Sequence, residues 1–316
     1  MPRRRDAIYV KLSLVALIWA GTFIAGRVVA AQMPPATAAL WRYVVASVAL
    51  VAAHAWLVGV LPALRPRQWL GVSLLGATGV AAYNLCFMIG MQTVPASRAS
   101  LIVALNPAVT VLGAAWFLRE RLTASRVAGA VLALAGAAVV IGHGNPLAIL
   151  SGGITPGDAI IFGCVLSWST YTLIGKGVLT GLSPLSATTY ASLTGTALLA
   201  LAATLLPAPL AAGVMPPVAS VGAWIALVFL GVFGTAIAFV WFYEGVRELG
   251  PARAAVFINL VPVVAVVLGF VLLGERLEWS MLAGGSLVIG GVWLINRAGP
   301  RALSASISNQ EKTKCC

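Results

Sequence analysis

The chain has 316 residues, of which 60% are hydrophobic and 9% are charged, with a mean hydropathy of +1.00 and a formal net charge of +12. A soluble domain of this length does not combine so much apolar surface with so few charges, so the composition excludes that class and indicates a membrane protein. The positive charge would also suit a nucleic-acid partner, but its placement along the chain argues against one.

Ten apolar stretches are long enough to cross a bilayer, which takes about 20 helical residues. In chain order, spans 1 to 10 are predicted at 8–32, 36–61, 68–91, 97–118, 124–142, 157–179, 184–206, 219–246, 252–273 and 279–297. The connections are too short to hold another folded domain. We therefore predict an all-α membrane protein, surrounded by the lipid bilayer, whose function resides among its helices.

The Lys and Arg residues predict the orientation of these spans. With the N-terminus in the cytoplasm, sixteen of the 20 basic residues fall on the inner side, whereas Arg27, Arg98 and Arg276 fall outside and Arg42 lies within span 2. Both termini are then cytoplasmic. The charge follows from topology, and a nucleic-acid role is not expected.

The chain also repeats itself. Residues from Trp69 onward recur 155 positions later without a gap, and earlier residues recur at an offset of 149, so six extra residues lie between about 206 and 218. The matched pairs include Leu17/Leu166, Trp19/Trp168, Gly26/Gly175, Pro35/Pro184, Trp69/Trp224, Gly76/Gly231, Gly79/Gly234, Gly90/Gly245, Pro107/Pro262, Glu120/Glu275, Gly129/Gly284 and Gly136/Gly291. We predict a first copy at 8–142, a second copy at 157–297 and a cytoplasmic tail at 298–316.

Each copy holds five spans, and because five is odd, the second copy is predicted to enter the membrane upside down relative to the first. Inverted repeats are typical of secondary transporters. A cleaved secretory signal is the alternative for span 1, since Arg3, Arg4 and Arg5 precede its apolar run. The match of Trp19 and Gly26 to span 6 argues that span 1 belongs to the fold.

Polar and aromatic side chains near the middle of the spans are the candidate substrate-binding residues. Trp19 and Trp168 lie about 11 residues into their spans, which is too deep for an interfacial aromatic belt. Their remaining possible roles are to line a cavity or to pack in the core. The candidates at this level are Trp19, Thr22, Tyr83 and Asn84 in the first copy, and Trp168, Thr170, Tyr171, Tyr190, Trp241 and Tyr243 in the second.

Pro107 and Pro262 are predicted to break spans 4 and 9, because proline removes a backbone donor from mid-helix. Asn106 and Asn259 accompany them, so polar amides are expected at the same level of two related helices. Substrate contact and helix-to-helix hydrogen bonding, worth roughly 1 kcal/mol in membranes, remain equal alternatives for these amides.

Arg42 is the deepest charge, about seven residues or roughly 10 Å inside span 2. A charge at such depth is costly and marks a pathway or a ligand. Because the matching residue is Ala191, the repeat itself does not require Arg42. We predict that it holds a substrate carboxylate or another anionic group.

The acids lie at span ends or in tails, so a proton relay through a buried carboxylate has no evident carrier. His54, inside span 2, could titrate near neutral pH, although a lone histidine there is more often packed. The chain lacks a clustered metal-ligand set, an acid and base pair and a phosphate-binding loop. We therefore expect no enzyme activity, no metal and no cofactor.

Two five-span copies, the paired Trp19 and Trp168, and the prolines of spans 4 and 9 resemble the EamA family of the drug/metabolite transporter superfamily. So do the Glu-Arg-Leu signatures at 120–122 and 275–277. The resemblance covers about residues 8 to 298. It implies a bacterial inner-membrane carrier, often an exporter of amino acids or other small metabolites, with a central cavity open alternately to the two sides. A non-transporting scaffold or sensor and a channel remain the alternatives.

Two further features have expected structural roles. Glu120 and Glu275 each precede a short turn, where a carboxylate meets free backbone donors at a positive helix end. Glycines give spans 5 and 10 small faces that suit either intramolecular packing or a homodimer contact.

Overall fold

The computed structural model describes residues 2–117, 119, 122–145, 154–178, 182–249 and 251–297. Within these ranges, ten helical stretches are long and apolar enough to cross a membrane: Asp6–Ala30, Pro35–Leu57, Pro66–Gly90, Ala96–Phe117, Ala124–Ile141, Pro156–Gly175, Pro184–Leu205, Val221–Val246, Val256–Leu273 and Trp279–Asn296. The prediction of an all-α membrane protein with ten spans is confirmed. Glu120, Arg121 and the predicted tail at 298–316 lie outside the described residues.

The spans are built from α-helices and two π-helical segments, π1 and π2. The first copy contains α1 (Pro2–Ala30), α2 (Pro35–Leu57), α3 (Pro66–Leu75), π1 (Gly76–Ala82), α4 (Tyr83–Gly90), α5 (Ala96–Val103), α6 (Asn106–Phe117) and α7 (Ala124–Ile141). The second contains α8 (Pro156–Val178), α9 (Pro184–Leu205), α10 (Val221–Val228), π2 (Phe229–Ile237), α11 (Ala238–Leu249), α12 (Pro251–Ile258), α13 (Leu260–Leu273) and α14 (Trp279–Arg297).

Local sequence explains where several helices begin. Proline opens α2, α3 and α9, since its missing N–H would have no helical partner in the first turn. Hydroxyls cap α9 and α10: Ser183 accepts a hydrogen bond from the Ser186 amide, and Ser220 from the Ala223 amide. Large apolar side chains such as Val48 and Val271 remain exposed on the outside, as lipid contact requires.

Spans 4 and 9 are interrupted beside their prolines. Span 4 divides into α5 and α6, with Pro107 as the second residue of α6, and span 9 divides into α12 and α13, with Pro262 as the third residue of α13. Proline is tolerated in the first turn because no hydrogen bond is lost there. Each proline therefore starts the second half of a broken span.

Spans 3 and 8 contain π1 and π2 at repeat-equivalent positions. π-helix is rare, appears mostly as single turns and is frequent at functional sites. Here each copy carries one near mid-membrane, and each contains a Gly-x-x-Gly pair, Gly76/Gly79 in π1 and Gly231/Gly234 in π2.

These glycines permit close contacts between the copies. Each contact of a first-copy glycine with the second copy has an equivalent contact of a second-copy glycine with the first copy. A Cβ atom on Gly76 would lie 2.8 Å from the Ala191 carbonyl oxygen, and one on Gly231 would lie 2.9 Å from that of Arg42. Ala191 is the repeat equivalent of Arg42, so one contact is the counterpart of the other. In the same way, Gly79 lies against Tyr171 and its equivalent Gly234 lies against Thr22. Gly90 lies against Ile161 and its equivalent Gly245 lies against Leu12.

Spans 5 and 10 also pack closely against each other through glycines. A Cβ on Gly136 would lie 2.5 Å from the Gly284 carbonyl oxygen, and one on Gly129 would lie 2.6 Å from that of Gly291. The later residue of α7 thus meets the earlier residue of α14, so the two equivalent helices run antiparallel. Their small faces are occupied by intramolecular packing and are not free for a second copy of the chain.

Glu275 accepts hydrogen bonds at the start of a helix, as predicted, but the helix is α5 and not the one that follows Glu275 in the chain. Its carboxylate accepts hydrogen bonds from the Ala96 amide at 2.6 Å, the Ser97 amide at 3.0 Å and the Ser97 hydroxyl. These are the free donors at the positive end of α5. Glu275 therefore ties the end of span 9 to the start of span 4.

Candidate functional site

A narrow cavity lies between the two copies. The first copy lines it through α2 and π1, and the second through α8, α9, π2 and α11. The lining residues are Tyr43, Gly79, Val80, Trp168, Tyr171, Thr188, Ala191, Ser192, Thr235 and Phe239. Both copies therefore contribute side chains to its wall.

The cavity sits where the copies meet symmetrically. Tyr43 and Ser192 are repeat equivalents at the offset of 149, and Val80 and Thr235 are equivalents at the offset of 155. Both pairs line it. Three of its wall residues, Gly79, Val80 and Thr235, belong to the π-helical segments. The unusual helical geometry of spans 3 and 8 thus coincides with the cavity wall.

The cavity has a hydroxyl-rich side formed mainly by α9. The Thr188 hydroxyl lies 3.1 Å from the Tyr243 hydroxyl, and the Tyr171 hydroxyl is beside both. The hydroxyl of the wall residue Ser192 lies 2.8 Å from the hydroxyl of Ser47, which is not a wall residue. This side offers donors and acceptors without a fixed charge.

Depth along the helices shows which face the cavity approaches. Thr188 is the fifth residue of α9, whereas Trp168 is the thirteenth residue of α8 and lies roughly 18 Å from the start of that helix. Since α9 follows α8 after a short connection, the start of α9 and the end of α8 share one face of the membrane. The cavity extends from mid-membrane towards that face.

The two equivalent tryptophans occupy different environments. Trp19 donates its indole N–H to the Gly234 carbonyl oxygen at 3.0 Å and packs against Phe239 and Phe242. Trp168 lines the cavity and stacks on Tyr171 at 5.1 Å between ring centroids. In the described part of the chain, the Trp168 indole N–H has no hydrogen-bond acceptor. Trp168 thus presents a donor at the wall, whereas the Trp19 donor is satisfied in the core.

The aromatic ring of Tyr43 separates Arg42 from the cavity. Its guanidinium carbon is 5.6 Å from the ring centroid of Tyr43, a wall residue, and 5.7 Å from that of Phe87. Only 7% of the residue is exposed, and its Nε atom is buried without a partner. Among the described residues, Arg42 has no ion pair and no hydrogen bond. Aromatic faces contribute about 0.5–2 kcal/mol to a cation, less than the cost of burying it.

A chain of rings connects the other side of Arg42 to the cavity. Phe87 stacks on Tyr83 with centroids 6.2 Å apart, and Tyr83 contacts Trp168 at 5.7 Å. Tyr83 therefore lies behind the wall. Arg42, Tyr83, Trp168 and Tyr171, all predicted from the sequence, form one continuous group.

Other predicted residues lie outside this group. The Tyr190 hydroxyl donates to the Pro62 carbonyl oxygen at 2.7 Å, and its ring packs on Trp69. Trp241 is half-buried on α11 and is not a wall residue. The Asn259 side-chain oxygen accepts a hydrogen bond of 3.4 Å from Asn296 on α14, which is the helix-to-helix alternative.

Thr22, Asn84, Asn106 and Thr170 also lie outside the wall. The Thr22 and Thr170 hydroxyls bond to the backbone carbonyl oxygens of Trp19 and Leu166 within their own helices. Asn84 is fully buried and donates to the Val80 carbonyl oxygen at 2.7 Å, while its own side-chain oxygen has no partner. The buried side-chain oxygen of Asn106 also lacks one.

Trp168 and Tyr171 are the wall residues that the sequence predicted as candidates. The other eight were not predicted: Tyr43, Gly79, Val80, Thr188, Ala191, Ser192, Thr235 and Phe239. Span 7 did contain a usable signal, since Thr188, Ala191 and Ser192 recur at intervals of three and four and so share one helix face. No group of three or more His, Cys, Asp or Glu among the described residues could hold a metal ion.

Ten apolar spans around a cavity shared by two related copies have the architecture of a multi-pass membrane transporter. Comparison with known proteins places the chain within that class. The family described as the EamA-like transporter family matches residues 7–142 and 155–297, and the chain belongs to it.

Named relatives agree with this assignment. The chain is 37% identical over 289 residues to the "Probable terminal-alkyne amino-acid exporter" of Streptantibioticus cattleyicolor, covering 90% of this chain and 92% of the relative. It is 27% identical over 285 residues to the "Uncharacterized transporter YyaM" of Bacillus subtilis, with the same coverage of 90% and 92%. A solved structure titled "Crystal structure of protein" shares the fold, with a TM-score of 0.62, 23% identity and coverage of 94% of this chain and 99% of that one.

Proposed function

We propose that the protein exports small carboxylate-bearing metabolites of the amino-acid type by alternating access through the cavity between its two copies. The observation that carries this proposal is Arg42, a buried guanidinium beside the cavity with no anionic partner in the described chain. The name of the Streptantibioticus relative, a probable amino-acid exporter, supports both the substrate class and the direction.

Alternating access follows if the second copy is inverted relative to the first. The antiparallel packing of α7 against α14, through exchanged glycine contacts, supports that inversion. Two inverted halves have two related ways of closing around one central site, one open to each side. The helix breaks beside Pro107 and Pro262 are the proposed places where spans 4 and 9 bend during the exchange.

The orientation that we propose places both termini in the cytoplasm of a cell whose inner membrane holds the protein. The start of α9 is then cytoplasmic, so the cavity approaches the cytoplasmic face, as loading for export requires. Lys11 and Glu244 pair at 2.7 Å between spans 1 and 8 near that same face.

Substrate recognition divides between three kinds of group. Arg42 would receive the carboxylate after a small movement of the Tyr43 or Phe87 ring, because guanidinium and carboxylate match in a bidentate pair. The Trp168 indole and the hydroxyls of Thr188 and Ser192 would orient polar substrate groups. The rings of Tyr171 and Phe239 would cover an apolar side chain.

Thermal unfolding in detergent against a panel of L-amino acids, organic acids, purines, sugars and organic cations tests this proposal. A ligand that binds only the folded protein stabilises it by RT ln(1 + [L]/Kd), about 2.7 kcal/mol at a hundredfold excess over Kd. We expect dose-dependent stabilisation by amino acids and none by their carboxamides, which lack the anion. Stabilisation by purines, sugars or cations alone, or by nothing in the panel, would contradict the proposed substrate class.

A further inference from the structure

A second polar cluster lies at the membrane face opposite the hydroxyl-rich side of the cavity. Its centre is the buried pair of Arg98, the third residue of α5, and Asp158, the third residue of α8. Arg98 donates to both carboxylate oxygens of Asp158, from Nε at 2.8 Å and from an Nη at 2.6 Å. Thr155 adds its amide and hydroxyl to the same carboxylate. This pair joins the start of span 4 to the start of span 6.

His143 extends the cluster to two more spans. It lies in the turn after α7, with its Nε2 atom 2.5 Å from Arg98 Nη1 and its Nδ1 atom 2.8 Å from a Glu278 carboxylate oxygen. Glu278 immediately precedes α14 and also accepts a hydrogen bond from the Ser280 hydroxyl. The chain Asp158–Arg98–His143–Glu278 therefore crosses spans 4, 5, 6 and 10 at one face.

The hydrogen-bond chemistry requires neutral His143. Arg98 has only donors, so Nε2 of His143 must accept, while Nδ1 carries the proton that Glu278 accepts. A protonated imidazole has two donors and no acceptor, so its Nε2–H would face the Arg98 guanidinium, with two like charges in contact. The link to Glu278 would survive as an ion pair. The link to Arg98 would be lost, leaving the Ile141 carbonyl as the remaining bond from Arg98 to the end of α7.

His143 is also accessible to protons from outside the protein. Its side chain is 55% exposed, whereas those of Arg98 and Asp158 are 5% and 1% exposed. The hydrogen bond from His143 is the main cause that lowers the pKa of Glu278 below 4.5, so Glu278 stays ionised as a histidine titrates. Glu275, the other acid at this face, is bonded to the start of α5.

We propose that these residues form a proton-operated latch: protonation of His143 from the face opposite the cavity opening releases α5 and α8 from α14 and favours opening of that face. This proposal rests on the transport function proposed above, in whose orientation the latch faces the cell exterior. It makes external protons the signal, or the coupled ion, that opens the exit. Histidine is suited to this because its charge changes between pH 5 and 8.

Two substitutions at His143 mimic its two protonation states. His143→Gln keeps the neutral pattern at all pH, because its amide oxygen accepts from Arg98 and its amide NH₂ donates to Glu278. His143→Lys carries a permanent positive charge and donors only. The chain has two histidines, and the other, His54, is fully buried between Gly59 and Ser186, so His54→Gln is the control.

The experiment measures hydrogen–deuterium exchange in the full-length protein in nanodiscs, for peptides covering α5, the start of α8 and the start of α14. Wild type and His143→Gln are compared at the same pH, which removes the intrinsic pH dependence of amide exchange. We expect the protection of wild type relative to His143→Gln to fall as the pH is lowered from about 7.5 to about 5.5.

The variants decide the outcome without any knowledge of the substrate. His143→Lys is expected to be deprotected at both pH values, and His54→Gln to keep the wild-type pH response. If wild type and His143→Gln respond to pH alike, or if His143→Lys is as protected as His143→Gln, the latch is contradicted. Since no ligand is added, this failure is separate from failure of the proposed transport function.

Discussion

Arg42→Met is expected to weaken binding of an amino-acid ligand by about 10- to 150-fold, because hydrogen bonds to a charged group contribute about 1.5–3 kcal/mol. Methionine keeps an unbranched apolar stem against Tyr43 and Phe87 and removes only the charged head. The ligand is the amino acid with the largest thermal shift in the panel, and the measurement is its apparent Kd for wild type and variant.

The stability of the empty protein separates loss of binding from loss of folding. Removing a buried cation that has no partner in the described chain removes a cost, so ligand-free Arg42→Met is expected to unfold at the same temperature as wild type or higher. Arg27, which donates to the Met91 carbonyl oxygen near the end of α1, provides a control, and Arg27→Gln should leave Kd within about twofold. Unchanged affinity in Arg42→Met would show that the guanidinium does not receive the substrate.

Gly291→Ala is expected to destabilise the fold by about 1–3 kcal/mol, the usual effect of overpacking. The added Cβ would lie 2.5 Å from both the Gly129 carbonyl oxygen and the Ala133 amide nitrogen. These are backbone atoms, which cannot rotate away as a flexible side chain would. Helices α7 and α14 must therefore move apart, which also weakens the neighbouring contact between Gly136 and Gly284.

The adjacent residue gives a matched control. A Cβ on Gly290 would lie 3.8 Å from the Leu132 side chain, an ordinary contact, and alanine is favoured over glycine within a helix by up to about 1 kcal/mol. Gly290→Ala should therefore be neutral or stabilising. Thermal unfolding of both variants in the same detergent tests the difference in sign, and equal midpoints would contradict the close packing of spans 5 and 10.

Local signals were sufficient to predict the framework. Hydropathy over about 20 residues located the ten spans, and Pro107 and Pro262 marked the two broken ones, because bilayer thickness and the missing proline N–H act on each segment separately. The fold places repeated glycines at contacts between the copies, but their partners depend on how the copies pack. The π-helical segments in spans 3 and 8 were not predicted, since Gly-x-x-Gly alone does not distinguish π-helix from a close approach.

The cavity wall was predicted only in part, for reasons of helix rotation. Tyr190 was chosen for its chemistry, yet it is two residues from both Thr188 and Ser192 and therefore about 160° around α9 from these wall residues. Thr188 and Ser192 were missed because Ser and Thr in membrane helices usually bond to their own backbone, and composition does not reveal which ones face a cavity. Trp19 and Trp168 differ through a single acceptor, the Gly234 carbonyl oxygen, which only the packed structure supplies.

Counterflow in proteoliposomes tests the carrier mechanism most directly. Vesicles holding the purified full-length protein are loaded with the unlabelled amino acid selected by thermal shift and diluted into a trace of the labelled one. A carrier with alternating access predicts transient, saturable accumulation of label above equilibrium, strongly reduced in Arg42→Met and retained in Arg27→Gln. Uptake that never exceeds equilibrium, or that matches vesicles without protein, would contradict the account and favour a channel or a non-transporting membrane protein.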